Sequence, residues 1–265
     1  MWASRYLPEL TMARDFVIAN RVRFLLFLAG DIMQVVVIYF IWNAALAERG
    51  QLGGMDRNAM ITYIFVAQAC RIITAYNMEN QFAFYIRTGD VIRDLIVPQT
   101  YVWKRLWFTM GWLGTIGGMT VIPLMAVGVG FFGVALPSVS VLPALAVSLF
   151  LSMLISYGLS SLTASVAFWT DGSVWGVSMA KTLLTSLAGG AFIPLSFFPA
   201  WLAAVAKALP FQAGVTIPTA IYQGQLHGGA LWTALGVQLF WACVLVLAAD
   251  RFFAYSVRKM TIPGG

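Results

Sequence analysis

The feature that most constrains this chain is a series of apolar runs, each near the length that crosses a bilayer. A helix rises about 1.5 Å per residue, so about 20 mostly apolar residues span a hydrocarbon core of about 30 Å. Six such runs are legible, at 24–46, 59–78, 107–130, 142–168, 177–198 and 229–249. None alternates apolar and polar residues between turn signals, as barrel strands do. Composition closes off the water-soluble alternative. Of the 265 residues, 60% are hydrophobic and 10% charged, too few to cover an aqueous surface. A soluble enzyme, a disordered chain and a nucleic-acid partner are all disfavoured, despite a net charge of +6. Membrane lipid is the expected solvent. The expected fold is an all-α integral membrane protein with six transmembrane helices, forming one unit over 1–265.

Basic residues set the orientation. With six crossings both termini share a side. That side carries Arg5, Arg14, Arg21 and Arg23, then Arg87, Arg93, Lys104 and Arg105, then Lys181, then Arg251, Arg258 and Lys259. The other side carries Arg49, Arg57 and Lys207, while Arg71 falls within the second run. Positive charge accumulates on the cytoplasmic side, so both termini are expected there. The apolar stretch Phe24–Trp42 is too long for a signal-peptide core and starts too far into the chain, so it reads as an uncleaved anchor. Ahead of it, Trp2, Tyr6, Leu10, Ala13 and Val17 recur at helical spacing. An amphipathic helix over 1–22 would lie in the interface or pack on other protein.

Two connections are unusual. The cytoplasmic segment 79–105 contains Gly89, which permits a turn, and Pro98, which stops a helix. Between them Val91, Ile92, Leu95 and Ile96 form an apolar stripe, with Asp90, Arg93 and Asp94 facing elsewhere. Such a helix could be a lever for a soluble partner or could rest on lipid headgroups. The stretch 189–224 is apolar but broken by Gly189, Gly190, Pro194, Pro199, Pro210, Pro218 and Gly224. Its pieces Ala200–Leu209 and Thr216–Tyr222 are too short to span. They fit a re-entrant hairpin over 199–225 dipping into the outer leaflet, or an external loop lying on the membrane.

Within the runs, Asp31 and Arg71 fall at similar depth on adjacent antiparallel helices. They are expected to pair, or else to line a charged substrate path, since an isolated charge there is costly. Gly111, Gly114, Gly117 and Gly118, and separately Ser152, Ser156 and Ser160, recur at three-to-four spacing. Both sets suit close helix packing, or a weakly polar translocation wall.

Catalysis finds no foothold. Gly176-Val177-Ser178-Met179-Ala180 lacks the last glycine of a nucleophile elbow, and the one histidine, His227, lies in the external stretch. No zinc motif occurs, and Cys70 and Cys243 stand alone in apolar runs. Lys181-Thr182 follows Ala180, not the glycine of a phosphate loop. No catalytic residue, metal or cofactor is expected in this chain. If ATP drives it, another chain binds the ATP.

Several motifs occur in a specific order. Ile86-Arg87-Thr88-Gly89 precedes Leu95-Ile96-Val97-Pro98, and Ser165-Val166-Ala167-Phe168-Trp169 ends the fourth run. Gly189-Gly190, Ile193-Pro194-Leu195, Phe198-Pro199-Ala200-Trp201-Leu202, Leu209-Pro210-Phe211 and Pro218 follow, and the chain ends in Gly264-Gly265. In these motifs and in its layout the chain resembles the membrane subunit of type-2 ABC exporters. It is most similar to a bacterial branch described as drug or viologen exporters. It departs from that pattern at Tyr85, where the family often has Glu, and at Val97-Pro98-Gln99, where it often has Arg-Pro-Leu.

The resemblance implies a permease in a bacterial cytoplasmic (inner) membrane. It would pair with a second permease chain, identical or related, and with two ATP-binding subunits that carry ATP and magnesium. Coupling to the ATPase would fall on Phe84, Ile86, Arg87, Gly89, Asp90, Arg93, Asp94 and Leu95. An external gate would be built from Pro194, Phe198, Pro199, Trp201, Pro210 and Phe211. The cargo would be a hydrophobic or amphiphilic small molecule such as a drug, toxin or natural product, as in multidrug efflux. Export of a glycan or lipid-linked substrate and ATP-independent transport are the alternatives.

Overall fold

The computed structural model describes residues 15, 18–49, 51, 53–74, 78–88, 106, 109–111, 113–170 and 173–258. All regular elements among them are helical. The predicted interface helix over 1–22 falls largely outside the described residues, as does most of the segment 79–105.

Helix α1 (Arg21–Arg49) lies at the edge of the bundle. Its Val35, with Ile32, Tyr39 and Trp42, packs on the next helix, while Leu25, Leu26, Phe27, Phe40 and Ile41 are exposed. Helix α2 (Arg57–Thr74) is central, with every residue from Met60 to Cys70 buried. Asp56 starts it by accepting the Ala59 N–H at 2.8 Å, a helix N-cap contact. Helix α3 (Met78–Thr88) follows at the same end as the start of α1. A π-helical turn, Leu113–Gly117, leads into α4 (Gly118–Phe132). Helix α5 (Leu142–Ser165) has a proline in its first turn, where the missing N–H costs nothing. Helices α6 (Trp175–Ala188), α7 (Ala200–Ala208), α8 (Phe211–Tyr222) and α9 (Gly228–Val257) complete the chain.

Among the described helices, α5 and α9 make the most extensive contact. Gly158 permits it: a Cβ there would lie 2.7 Å from Leu245 Cβ and 2.9 Å from the Leu245 carbonyl carbon. This is the small-residue packing expected between membrane helices.

The distribution of polarity is inverted relative to a soluble protein. Leu26 is 70% exposed and Phe131 84%, whereas Gln68, Ser148, Ser152, Ser160 and Gln238 are buried. An apolar outside around a polar inside requires an apolar solvent. Four stretches are long and apolar enough to cross it: Arg21–Ala47, Arg57–Tyr85, Val139–Trp169 and Gly228–Val257. The pair α7–α8, bent by 100°, would make a fifth if counted as one span.

The third run carries the π-helical turn within it, and the fifth is not the single helix that its apolar content suggests. Helix α6 has 14 residues, or about 21 Å at about 1.5 Å per residue, short of the hydrocarbon thickness, whereas α4, with 15, continues directly from the π-helical turn. Helix α6 stops where Gly190 takes a positive φ of 81°. A Cβ on that glycine would meet Thr216 Oγ1 at 2.6 Å and Tyr63 Oη at 2.8 Å. The chain then runs irregularly to Phe197, which packs on Trp42 and lies against Gly53 near the far ends of α1 and α2. Helix α8 begins earlier than the predicted piece Thr216–Tyr222. Pro218 lies inside it without ending it, since a packed helix tolerates one lost hydrogen bond.

The bundle thus has two distinct ends. Arg21, Arg23, Arg251, Arg258 and α3 mark a basic end. At the opposite end Thr62 Oγ1 accepts the Ala135 N–H at 3.1 Å, and Tyr222 Oη donates to the Ala135 carbonyl at 3.0 Å. There Gln223 Nε2 also donates to the Ala59 carbonyl at 2.7 Å.

Candidate functional site

Polar side chains inside the bundle gather in three linked groups. The first joins α1 to α2. Arg71 Nη2 donates to Asp31 Oδ1 at 2.8 Å and to Gln34 Oε1 at 3.3 Å, while Arg71 Nε donates to Gln68 Oε1 at 2.9 Å. Gln68 Nε2 in turn reaches Gln34 Oε1 at 3.3 Å. Depth counting in the sequence brings Asp31 and Arg71 together but misses the glutamines. A signal for them exists: Gln34 and Gln68 lie three residues from Asp31 and Arg71, on the same helix faces. A guanidinium has five N–H donors, so one carboxylate cannot satisfy it alone.

The second group has no counterpart in the sequence reading. Glu79, at the start of α3, is fully buried and forms an ion pair with Lys181 of α6. Lys181 Nζ also donates to Ser160 Oγ of α5 at 2.9 Å. The same turn of α3 is held by Phe82 and Ala83, which pack with Tyr157, Phe168 and Phe253. In the sequence Lys181 marks topology and fails the phosphate-loop pattern, and Glu79 falls just beyond a span, so neither residue is assigned a partner.

The third group ties α5, α8 and α9. Gln238 Nε2 donates to the Ala213 carbonyl at 2.7 Å and lies 3.1 Å from Ser152 Oγ, which itself donates to the same carbonyl at 3.1 Å. Ser152 is about 15 Å along α5 from its Leu142 end, at about 1.5 Å per residue. The first turn of α8 therefore lies deep within the bundle.

Between the three groups is a cavity of about 100 Å³. Arg71 and Lys181 enter its wall from two sides, with Ser156, Thr182 and Ser186 between them, and Pro210 and Phe211 close it at the elbow of the α7–α8 hairpin. Ser156 Oγ donates to the Thr74 carbonyl where α2 ends. The three serines at four-residue spacing thus bond to four other elements, α8, α9, α2 and α6, which plain helix packing does not require. The glycine set differs: Gly117 lies against Ile73, while a Cβ at Gly114 or Gly118 would have no neighbour within 4 Å among the described residues.

The residues expected to form one gate fall in two places. Pro194, Phe198, Pro199 and Trp201 lie along the segment that reaches Gly53 and Trp42, and Trp201 is 69% exposed. Pro210 and Phe211 instead line the deep cavity. Of the coupling residues, Phe84 is exposed on α3, and Ile86 and Arg87 lie in its last turns. Gly89, Asp90, Arg93, Asp94 and Leu95 lie outside the described residues. Among the described residues no cluster of His, Cys, Asp and Glu could hold a metal, and both cysteines are free thiols.

Apolar helices around two interior ion pairs define a multi-pass membrane protein. The chain belongs to the ABC-2 family of transporter proteins, whose family model matches residues 32–264. No curated protein matches the chain, nor does any solved structure. Membership makes it an ABC-2 type membrane component of a transporter, of a family that works with ATP-binding subunits.

Proposed function

We propose that this chain is the permease subunit of an ATP-driven exporter in a bacterial cytoplasmic membrane. It crosses the membrane six times with both termini in the cytoplasm. Helix α4 with the π-helical turn before it, and α6 with the irregular segment after it, supply the third and fifth crossings. The hairpin α7–α8 is re-entrant: it starts just after Phe197, beside Gly53, and α8 ends at Tyr222, beside Ala135, so both of its ends lie at the end of the bundle opposite the basic one. The permease pairs with a second permease chain and with two ATP-binding subunits, which hold ATP and magnesium. Its cargo is a hydrophobic or amphiphilic small molecule.

The observation that carries this reading is the seating of α3. One face of α3 is keyed into the bundle by the Glu79–Lys181 pair and by Phe82. The other presents Asn80, Gln81 and Phe84 at the basic end. A helix gripped on one side and exposed on the other can pass a partner's movement to α5 and α6. Closure of the ATP-binding subunits would push α3 and residues 84–95, and the linked helices would tilt to open the far end. The test is purification of the tagged chain from its native membranes. An ATP-binding subunit should copurify with vanadate-sensitive ATP turnover, and deletion of residues 84–95 should abolish coupling. Transport by a complex lacking any ATP-binding chain would overturn the reading.

A further inference from the structure

We propose that the cavity between α2, α5, α6 and α8 holds the anionic head of an amphiphilic solute, a carboxylate, phosphate or sulfonate, with the apolar tail left outside. The proposal rests on the exporter reading and names the chemistry of its cargo. Size comes first. Pockets for whole drug-sized ligands run to about 300–1,000 Å³. This cavity, at about 100 Å³, falls well below that range and suits a small head group rather than a whole ligand.

Charge gives the sign. Arg71 and Lys181 line the wall, while their partners Asp31 and Glu79 stand behind them and do not. The neutral groups add few donors. The hydroxyls of Thr74, Thr182 and Thr185 are turned back onto backbone carbonyls of their own helices at 2.9 Å. Arg71 uses Nε and Nη2 within the protein, whereas its Nη1 makes no hydrogen bond among the described residues. The first turn of the 12-residue α8 starts at the same wall without a side-chain cap, so its N-terminal N–H groups add positive potential. A cationic head would face two like charges. An anionic head would receive charge-assisted hydrogen bonds in a medium of low dielectric.

The experiment uses the full chain alone in phosphatidylcholine nanodiscs, without ATP. Binding of dansyl-labelled undecanoic acid is compared with that of its uncharged primary amide. The acid should bind the wild type about tenfold more tightly, the equivalent of one charge-assisted hydrogen bond. That preference should fall to about twofold or less in Asp31→Asn/Arg71→Gln and in Glu79→Gln/Lys181→Met, which neutralise each pair without stranding a charge. Ser186→Cys, in a Cys243→Ala background, keeps the test independent of how those variants fold. The introduced thiol should react faster with an anionic methanethiosulfonate than with a cationic one, relative to a free thiol in solution, and the acid probe should protect it. Equal binding of acid and amide, or an introduced thiol with no anionic preference, overturns the proposal. Displacement of the probe by added phosphatidylglycerol would assign the cavity to a resident lipid and overturn its assignment to a solute. Copurification of an ATP-binding subunit is unaffected by any of these results, so the two readings fail separately.

Discussion

The two ion pairs inside this bundle do different work. Asp31–Arg71 is about a quarter exposed on each side chain and shares its protons with two glutamines. Glu79–Lys181 is enclosed: Glu79 has no exposed surface and Lys181 retains 12%. The first pair joins only the peripheral α1 to the centre. The second joins α3, α5 and α6, so movement of α3 is movement of the core. A buried pair contributes little net stability against an apolar substitute, but removing one partner strands a charge. The contrast therefore lies in what each pair connects.

Breaking the enclosed pair should give the largest effect. Lys181→Met leaves Glu79 buried and unpaired, which should cost about 3–5 kcal/mol, seen as a lowered unfolding temperature in detergent. Glu79→Gln/Lys181→Met should recover most of that loss. If the double variant is as unstable as the single, the pair is not the anchor. Next is the contact that holds α9 on α5. Gly158→Leu must force the Leu245 backbone away and should cost about 1–3 kcal/mol by the same assay. The half-open pair ranks lower. Arg71→Gln should cost about 1–2 kcal/mol, because cavity access and the glutamines soften the loss. Asp31→Asn/Arg71→Gln should be better tolerated than the worse single variant; a double variant no better than that single would remove the coupling. The smallest effect belongs to Trp201→Ala, at an exposed site, where stability should change by about 0.5 kcal/mol or less.

The same comparison shows what can be read from the chain. Asp31 and Arg71 stand out because each interrupts an apolar run, and counting residues from the ends of the runs puts them at one height. Glu79 and Lys181 stand at the edges of their runs, where charges are ordinary, so only the three-dimensional meeting of α3, α5 and α6 distinguishes them. The helical class follows from apolar content. That content cannot tell a continuous span from α6, which ends at Gly189-Gly190 because Tyr63 and Thr216 clasp the break. The depth of Pro210 and Phe211 is hidden for a similar reason: Pro and Gly punctuation marks a break but not how far into the membrane it lies.

A photo-crosslinking amino acid at Phe84 on α3, and separately at Val139 at the opposite end, reports which end of the bundle meets the ATP-binding subunit. Both positions are exposed, at 52% and 80%. In native membranes position 84 should form an adduct with an ATP-binding subunit that changes in yield when ATP is added, and position 139 should form none. An ATP-binding subunit captured from position 139 and not from position 84 would contradict both the orientation and the role of α3.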